Sequence, residues 1–287
     1  MSNLTNRKRR SFLAGLAASV SAGALPRAGG APQTQQLNLD DPLAAMKFYA
    51  RIRGSNDGRP AVWHTQSIYY GQLDQEAPVP ILGGEGLNLV SLEFDRDNRL
   101  IETTERVTYC TDLDSGKILS RWRNVFTGEN ISLEKPRIKT HTVIQDNTMR
   151  AQERSNYVDI DRSGRLRRPF LQGETLTIPQ EHFATFTASA LGDTGGRRTD
   201  QRWWSGIWAT FSAPVTDLLD PDRSFVAGHG LLFGSAPWYS WLRMGEREGT
   251  SSVRRYLTRL PKANELPSGL LAWVAENHSD LLAKLGE

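Results

Sequence analysis

The feature that most constrains this chain is a succession of short runs rich in β-branched and aromatic residues, each separated from the next by tight-turn chemistry. "AVWHTQSIYY" from Ala61, "LNLVSLEF" from Leu87, "RLIETTERVTYC" from Arg99, "KILSRWRN" from Lys117, "ENISLE" from Glu129 and "IKTHTVIQ" from Ile138 have strand composition. Asp95–Asn98, Asp112–Gly116 and Thr127–Glu129 read as turns in which Asn or Gly supplies a positive φ cheaply. "DRSGRLRRPF" suggests another hairpin tip around Gly164. The rhythm continues less cleanly through "ETLTIP", "HFATFTAS", "WWSGIWATFS", "FVAGHGLLF", "WYSWLRM" and "SVRRYLTRL". No strand alternates with a long amphipathic helix, which argues against a doubly wound α/β sheet. Eight or more strands must close or divide into two sheets, because open edges invite aggregation. The expected fold is therefore mainly β: a single antiparallel β-barrel or strongly curved, barrel-like meander, lipocalin-like at the level of architecture. A two-sheet sandwich is the alternative. Asp41 before Pro42 predicts a capped short helix ending near Gly54, and helical spacing returns in "LPSGLLAWVAENHSDLLAKL". No composition break divides residues 41–287, so they read as one domain.

The first 40 residues read differently. Lys8, Arg9 and Arg10 precede a short apolar run from Phe12 to Ala24, too short to span a bilayer. Ala22-Gly23-Ala24 fits a small-x-small cleavage site. The order Arg9-Arg10-Ser11-Phe12-Leu13 matches a twin-arginine-type signal, which assigns residues 1–24 to export and 25–40 to a linker. Cleavage would remove Arg7, Lys8, Arg9 and Arg10 and no acid, so the formal charge falls by four, from +3 to −1. That charge gives no electrostatic footprint for nucleic acid. The expected location is periplasmic or otherwise exported, with the twin-arginine machinery as partner and no stable membrane span after cleavage. Cys110 is the only cysteine, so no intrachain disulfide can form and stability must come from the core.

"TYCTDLDSGKILSRWRNVFTGENISL", Thr108 to Leu133, carries a Tyr-x-x-Asp step, a Ser-Gly turn, Trp-x-Asn and Thr-Gly-Glu. With "GIWATFSAPVTDLLDP", the Trp-x-x-Trp of "WYSWLRMG" and the closing "NELPSGLL", it resembles domain-of-unknown-function family 1838, a family of exported bacterial proteins. The resemblance covers most of residues 40–270 and implies no activity. One departure stands out: the pattern has Pro after Asn124, and Val125 is found there.

Strong catalytic signatures are missing. There is no G-x-S-x-G elbow, no phosphate-binding loop, and "GGEG" at Gly83–Gly86 lacks the further glycine of a dinucleotide fingerprint. His64, His141, His182, His229 and His278 stand singly, so no local metal site is predicted and no cofactor is implied. The remaining signal is alternation along strands. In "LIETTERVTYC" the side carrying Ile101, Val107 and Tyr109 is expected to point inward, taking Glu105 with it. Glu105 or His141 would then serve as general base and Tyr109 as donor to a developing oxyanion. Trp63, Trp122, Asn124, Trp204 and His229 are the candidate ligand contacts. Eight tryptophans are a high count, and Trp203, Trp204 and Trp208 must fall on both faces of one strand, leaving at least one exposed or covered. Three readings follow: a metal-independent acid–base enzyme of isomerase, hydratase or lyase type; a non-catalytic barrel for a small, partly apolar or aromatic molecule; and a structural envelope protein.

Overall fold

The computed structural model describes residues 38–55, 58–133, 137–145, 148–156, 162–187 and 202–285. The predicted export leader and residues 25–37 of the predicted linker lie outside them. In chain order the elements are α1 (Pro42–Arg53), β1 (Ala61–Leu73), β2 (Val79–Phe94), β3 (Leu100–Thr111), β4 (Ile118–Leu119), β5 (Arg121–Arg123), β6 (Asn130–Ser132), β7 (Ile138–Ile144), β8 (Arg150–Ser155), β9 (Arg162–Leu166), β10 (Phe170–Gln172), β11 (Thr175–Thr187), β12 (Arg202–Pro214), α2 (Val215–Leu219), β13 (His229–Pro237), β14 (Gly249–Leu260), α3 (Ser268–Asn277) and α4 (Ser279–Ala283).

Ten of these strands form a closed antiparallel barrel in simple sequence order: β1, β2, β3, β7, β8, β9, β11, β12, β13 and β14. β14 returns to β1 with Trp63 opposite Arg259 and Tyr69 opposite Val253. β9 meets β11 with Gly164 opposite His182. Closure satisfies both edges of the sheet, so the barrel is found and not the sandwich. The predicted turns hold their positive φ at Asn98 (57°), Gly116 (69°) and Gly128 (77°). Three local expectations are corrected. Gly164 lies within β9, not at a tip, because a Cβ there would meet the Glu181 carbonyl oxygen at 2.0 Å. "KILSRWRN" splits into β4 on the barrel edge and β5, which pairs with β6 in a separate hairpin. "WYSWLRM" makes a 3-10 turn over Ser240–Leu242, in keeping with the three-residue spacing of Trp238 and Trp241.

Apolar packing closes the barrel at α1 and covers the side of β1–β3, β13 and β14 at the other end. At one end α1 enters, capped by the Asp41 carboxylate accepting from the Leu43 N–H at 3.0 Å. Met46, Tyr49 and Ile52 pack on inner-face residues Trp63, Val90, Leu100, Ile178 and Phe211. A buried ion pair pins the helix. Arg53 Nη2 lies 2.7 Å from Glu102 Oε1, the Tyr49 hydroxyl donates to Glu102 Oε2 at 2.7 Å, and Arg53 stacks 4.3 Å above the Phe211 ring. Burial raises the Glu102 carboxyl, but Arg53 and the Tyr49 hydroxyl outweigh it and hold the group below its ordinary value. At the other end Trp238, Leu242 and Met244 pack on Tyr69, Leu82, Cys110 and Val253. Outside the barrel, Leu266, Leu270, Val274, Leu281 and Leu285 from the C-terminal helical segment cover Val62, Leu87, Leu89 and Val107.

Candidate functional site

That external cover decides where the predicted site residues go. In β3 the inner face carries Leu100, Glu102, Thr104, Arg106, Thr108 and Cys110: Glu102 reaches α1 inside the barrel, and Arg106 pairs in register with Asn88. Ile101, Thr103, Glu105, Val107 and Tyr109 face outward, the reverse of the expected orientation. The reason is physical: Val107 and Tyr109 are buried beneath the C-terminal helices, not in the lumen. Glu105 accordingly anchors those helices. It accepts from Arg137, which itself bonds Asp280 at 2.6 Å, and from Lys284 Nζ at 2.6 Å. Burial raises its carboxyl, but the Arg137 and Lys284 hydrogen bonds overcome that and bring it down to about 2.

Tyr109 donates to Glu85, whose other oxygen lies 2.8 Å from His64 Nε2, and its ring meets Trp273 edge-on at 5.1 Å. Burial and then the Glu85 hydrogen bond push the Tyr109 phenol above its usual range. Glu105 and Tyr109 therefore sit on the outer wall and do not share a hollow. His141, His229 and Trp204 are exposed on the outside, Trp204 by 54%. Trp63 is fully buried, donating from Nε1 to the Arg53 carbonyl at 2.9 Å. Asn124 is buried and donates to the Leu242 carbonyl at 2.6 Å, holding the hairpin of β5 and β6 against the 3-10 turn. Trp122 is half-buried in that packing. The structure does not bring these residues together.

What it does bring together is the inner face beyond the apolar packing of α1. Registers place Thr104 and Arg106 (β3) beside Thr140 and Ile138 (β7), Glu153 (β8) beside Arg162 (β9), His182 (β11) beside Ile207 (β12), and Arg255 (β14) beside Ser67 (β1). Arg106, Thr140, Arg162 and Ile207 point into the lumen yet are only half-buried, so solvent reaches them. Ten strands enclose more room than eight, whose interior side chains just fill. Arg162 pairs with Glu153 at 3.0 Å, and His182 Nδ1 lies 3.9 Å from the other Glu153 oxygen. Arg255 Nε donates to Ser67 Oγ at 3.0 Å. The inner-face atoms Asn88 Oδ1, Thr108 Oγ1 and Ser205 Oγ are buried and have no hydrogen-bond partner among the described residues. An aromatic box adjoins: Tyr69 packs edge-on against Tyr239 and Trp241, which stack on each other 6.0 Å apart. Gly84 makes room for the Tyr69 ring, which an added Cβ would meet at 2.9 Å.

These lumen residues were missed from the sequence, although one signal was present. In "SVRRYLTRL", Val253, Arg255, Leu257 and Arg259 alternate on one side, so arginine shares a face with core residues. Among the described residues, no three or more His, Cys, Asp or Glu converge as a metal site would require.

No family model matches the chain, and no curated protein matches it. Among solved structures it is similar to the crystal structure of Rv2717c from M. tuberculosis, at 10% identity and a TM-score of 0.33, over 75% of this chain and 97% of that one. It is also similar to Ail, the attachment invasion locus protein of Yersinia pestis, at 10% identity and a TM-score of 0.23, over 70% of this chain and 97% of that one. Likenesses at this level carry no functional argument; barrel closure rests on the strand pairings above.

Proposed function

We propose that this protein is an exported binding barrel that holds one small, partly aromatic molecule in its lumen. The observation that carries the reading is the half-buried inner wall around Arg106, Thr140, Arg162 and Ile207, set beyond the α1 plug and beside the aromatic box. Ligand pockets combine such apolar walls with a few placed polar groups. The twin-arginine-type leader supports the export half of the reading. Native mass spectrometry of protein purified from its own host tests it: one small molecule per chain is expected. Ile207→Trp, which adds bulk to this inner wall, should remove that adduct, whereas Leu231→Trp on the outer wall should not. A bare mass together with failure to take up aromatic probes would overturn the reading.

One observation favours a second reading, the acid–base enzyme. His182 faces Glu153 inside the lumen, and burial pushes its imidazole below the usual value, leaving it a neutral base at pH 7. In this reading the base is His182, not Glu105 or His141. If the bound molecule leaves the wild type chemically changed and leaves His182→Ala unchanged, the enzyme reading replaces the carrier.

A further inference from the structure

The charges of the lumen do not balance, and the imbalance lies at one place. Arg53 is matched by Glu102, and Arg162 by Glu153. Arg259 donates to the Arg51 and Ile52 carbonyls at the C-terminus of α1. Arg106 and Arg255 are left. Arg255 is 5% exposed, and its hydrogen bond among the described residues is the one from Nε to Ser67. Arg106 has neither a hydrogen bond nor an ion pair to a described residue. Its strongest charge interaction is repulsive, with Arg255, and burial followed by that repulsion pushes Arg106 down to about 9, still cationic at neutral pH. The other groups facing it are Tyr69, Glu153 and Tyr239, and Glu153 is already committed to Arg162. Two like charges on the inner face with no counter-ion among the described residues are costly to hold.

We propose that Arg106 and Arg255 form an oxyanion-binding site, and that the lumen ligand is an aromatic or apolar molecule bearing a carboxylate-type group. This rests on the lumen-binding reading above and adds the chemical class. A guanidinium fork presents N–H donors suited to a carboxylate. The unpartnered Thr108 hydroxyl lies beside Arg106, two residues along the same face, and can donate to the same group. The aromatic box of Tyr69, Tyr239 and Trp241 flanks the same end of the lumen and accommodates the ligand's ring.

Calorimetric titration with 2-naphthoate and its neutral isostere 2-naphthamide tests the assignment. The wild type should bind naphthoate at least roughly 10-fold more tightly, as expected for charge-assisted hydrogen bonds. Arg106→Gln and Arg255→Gln should each abolish that preference while leaving naphthamide affinity within about 2-fold. Arg254→Gln, on the outer wall, should change neither. Because each lumen variant removes one of two repelling charges, its ligand-free Tm should rise or hold; naphthoate should raise the Tm of the wild type but not of the variants. Equal binding of the two probes by the wild type overturns the oxyanion site and leaves the binding barrel standing. Binding of neither probe overturns both. Should a variant fail to fold, the wild-type comparison of the two probes still decides.

Discussion

Two walls of the same barrel share an apolar inner end against α1, through Leu100, Ile144, Ala151 and Leu166 on one and Leu176, Ile178, Ala209 and Phe211 on the other, and differ in charge beyond it. The wall of β3, β7, β8 and β9 turns Glu102, Thr104, Arg106, Thr140, Thr142, Glu153 and Arg162 inward. The wall of β11, β12 and β13 turns Leu176, Ile178, Ala209, Phe211 and Leu232 inward, and leaves Phe183, Trp204, Trp208, Leu231 and Phe233 exposed outside. The difference teaches that an apolar stripe marks the buried side of a strand, and the buried side need not be the lumen. On β1–β3 the buried outer side lies under the C-terminal helices, so the lumen is free to be polar.

The largest effect is expected where the polar wall meets the α1 plug. Glu102→Gln leaves Arg53 buried without its counter-ion and should cost about 3–5 kcal/mol. Denaturant unfolding monitored by tryptophan fluorescence would measure it; a loss below ~1 kcal/mol would mean the pair is not the anchor of α1. Next comes a contrast between two outward-facing leucines. Leu87 is fully buried beneath the helices and Leu231 is 48% exposed. Leu87→Ala should lose ~2–5 kcal/mol and Leu231→Ala no more than about 0.5 kcal/mol. Equal losses would erase the difference between the walls.

A smaller effect concerns pH. The Glu105 carboxyl titrates at about 2 in the folded barrel, below its unfolded value, so its contribution is complete above that unfolded value and is lost as pH falls through about 2. Thermal melts from pH 6 down to 2 should show the gap between wild type and Glu105→Gln closing toward the acid end. A gap that stays constant would mean Glu105 carries no charge-dependent anchoring.

The barrel was legible because its determinants are local. Asp41 and Pro42 start α1, Asn98, Gly116 and Gly128 place three turns, and period-2 runs require strands that must close. An exposed tryptophan on the strand of Trp203, Trp204 and Trp208 was also readable; Trp204 and Trp208 are those exposed. The site was not legible, because the choice of inner face is made by distant packing. Val107 and Tyr109 look like core, and they are core, but against Leu270 and Val274, more than 150 residues away. Glu105 was carried to the wrong side by the same step. Arg106 and Arg255, on strands far apart in sequence, meet only when β14 closes on β1.

The claim that the lumen beyond α1 is water-reached and cationic can be tested on two adjacent residues of β7. Thr140 points inward and is half-buried, whereas His141 is exposed outside. In a Cys110→Ala background, Thr140→Cys and His141→Cys would be labelled with methanethiosulfonate reagents bearing either a sulfonate or a quaternary ammonium group. The account predicts that the residue-140 thiol reacts and is modified several-fold faster by the anionic reagent, while the residue-141 thiol shows no such preference. An inert thiol at 140, or one indifferent to reagent charge, would contradict it.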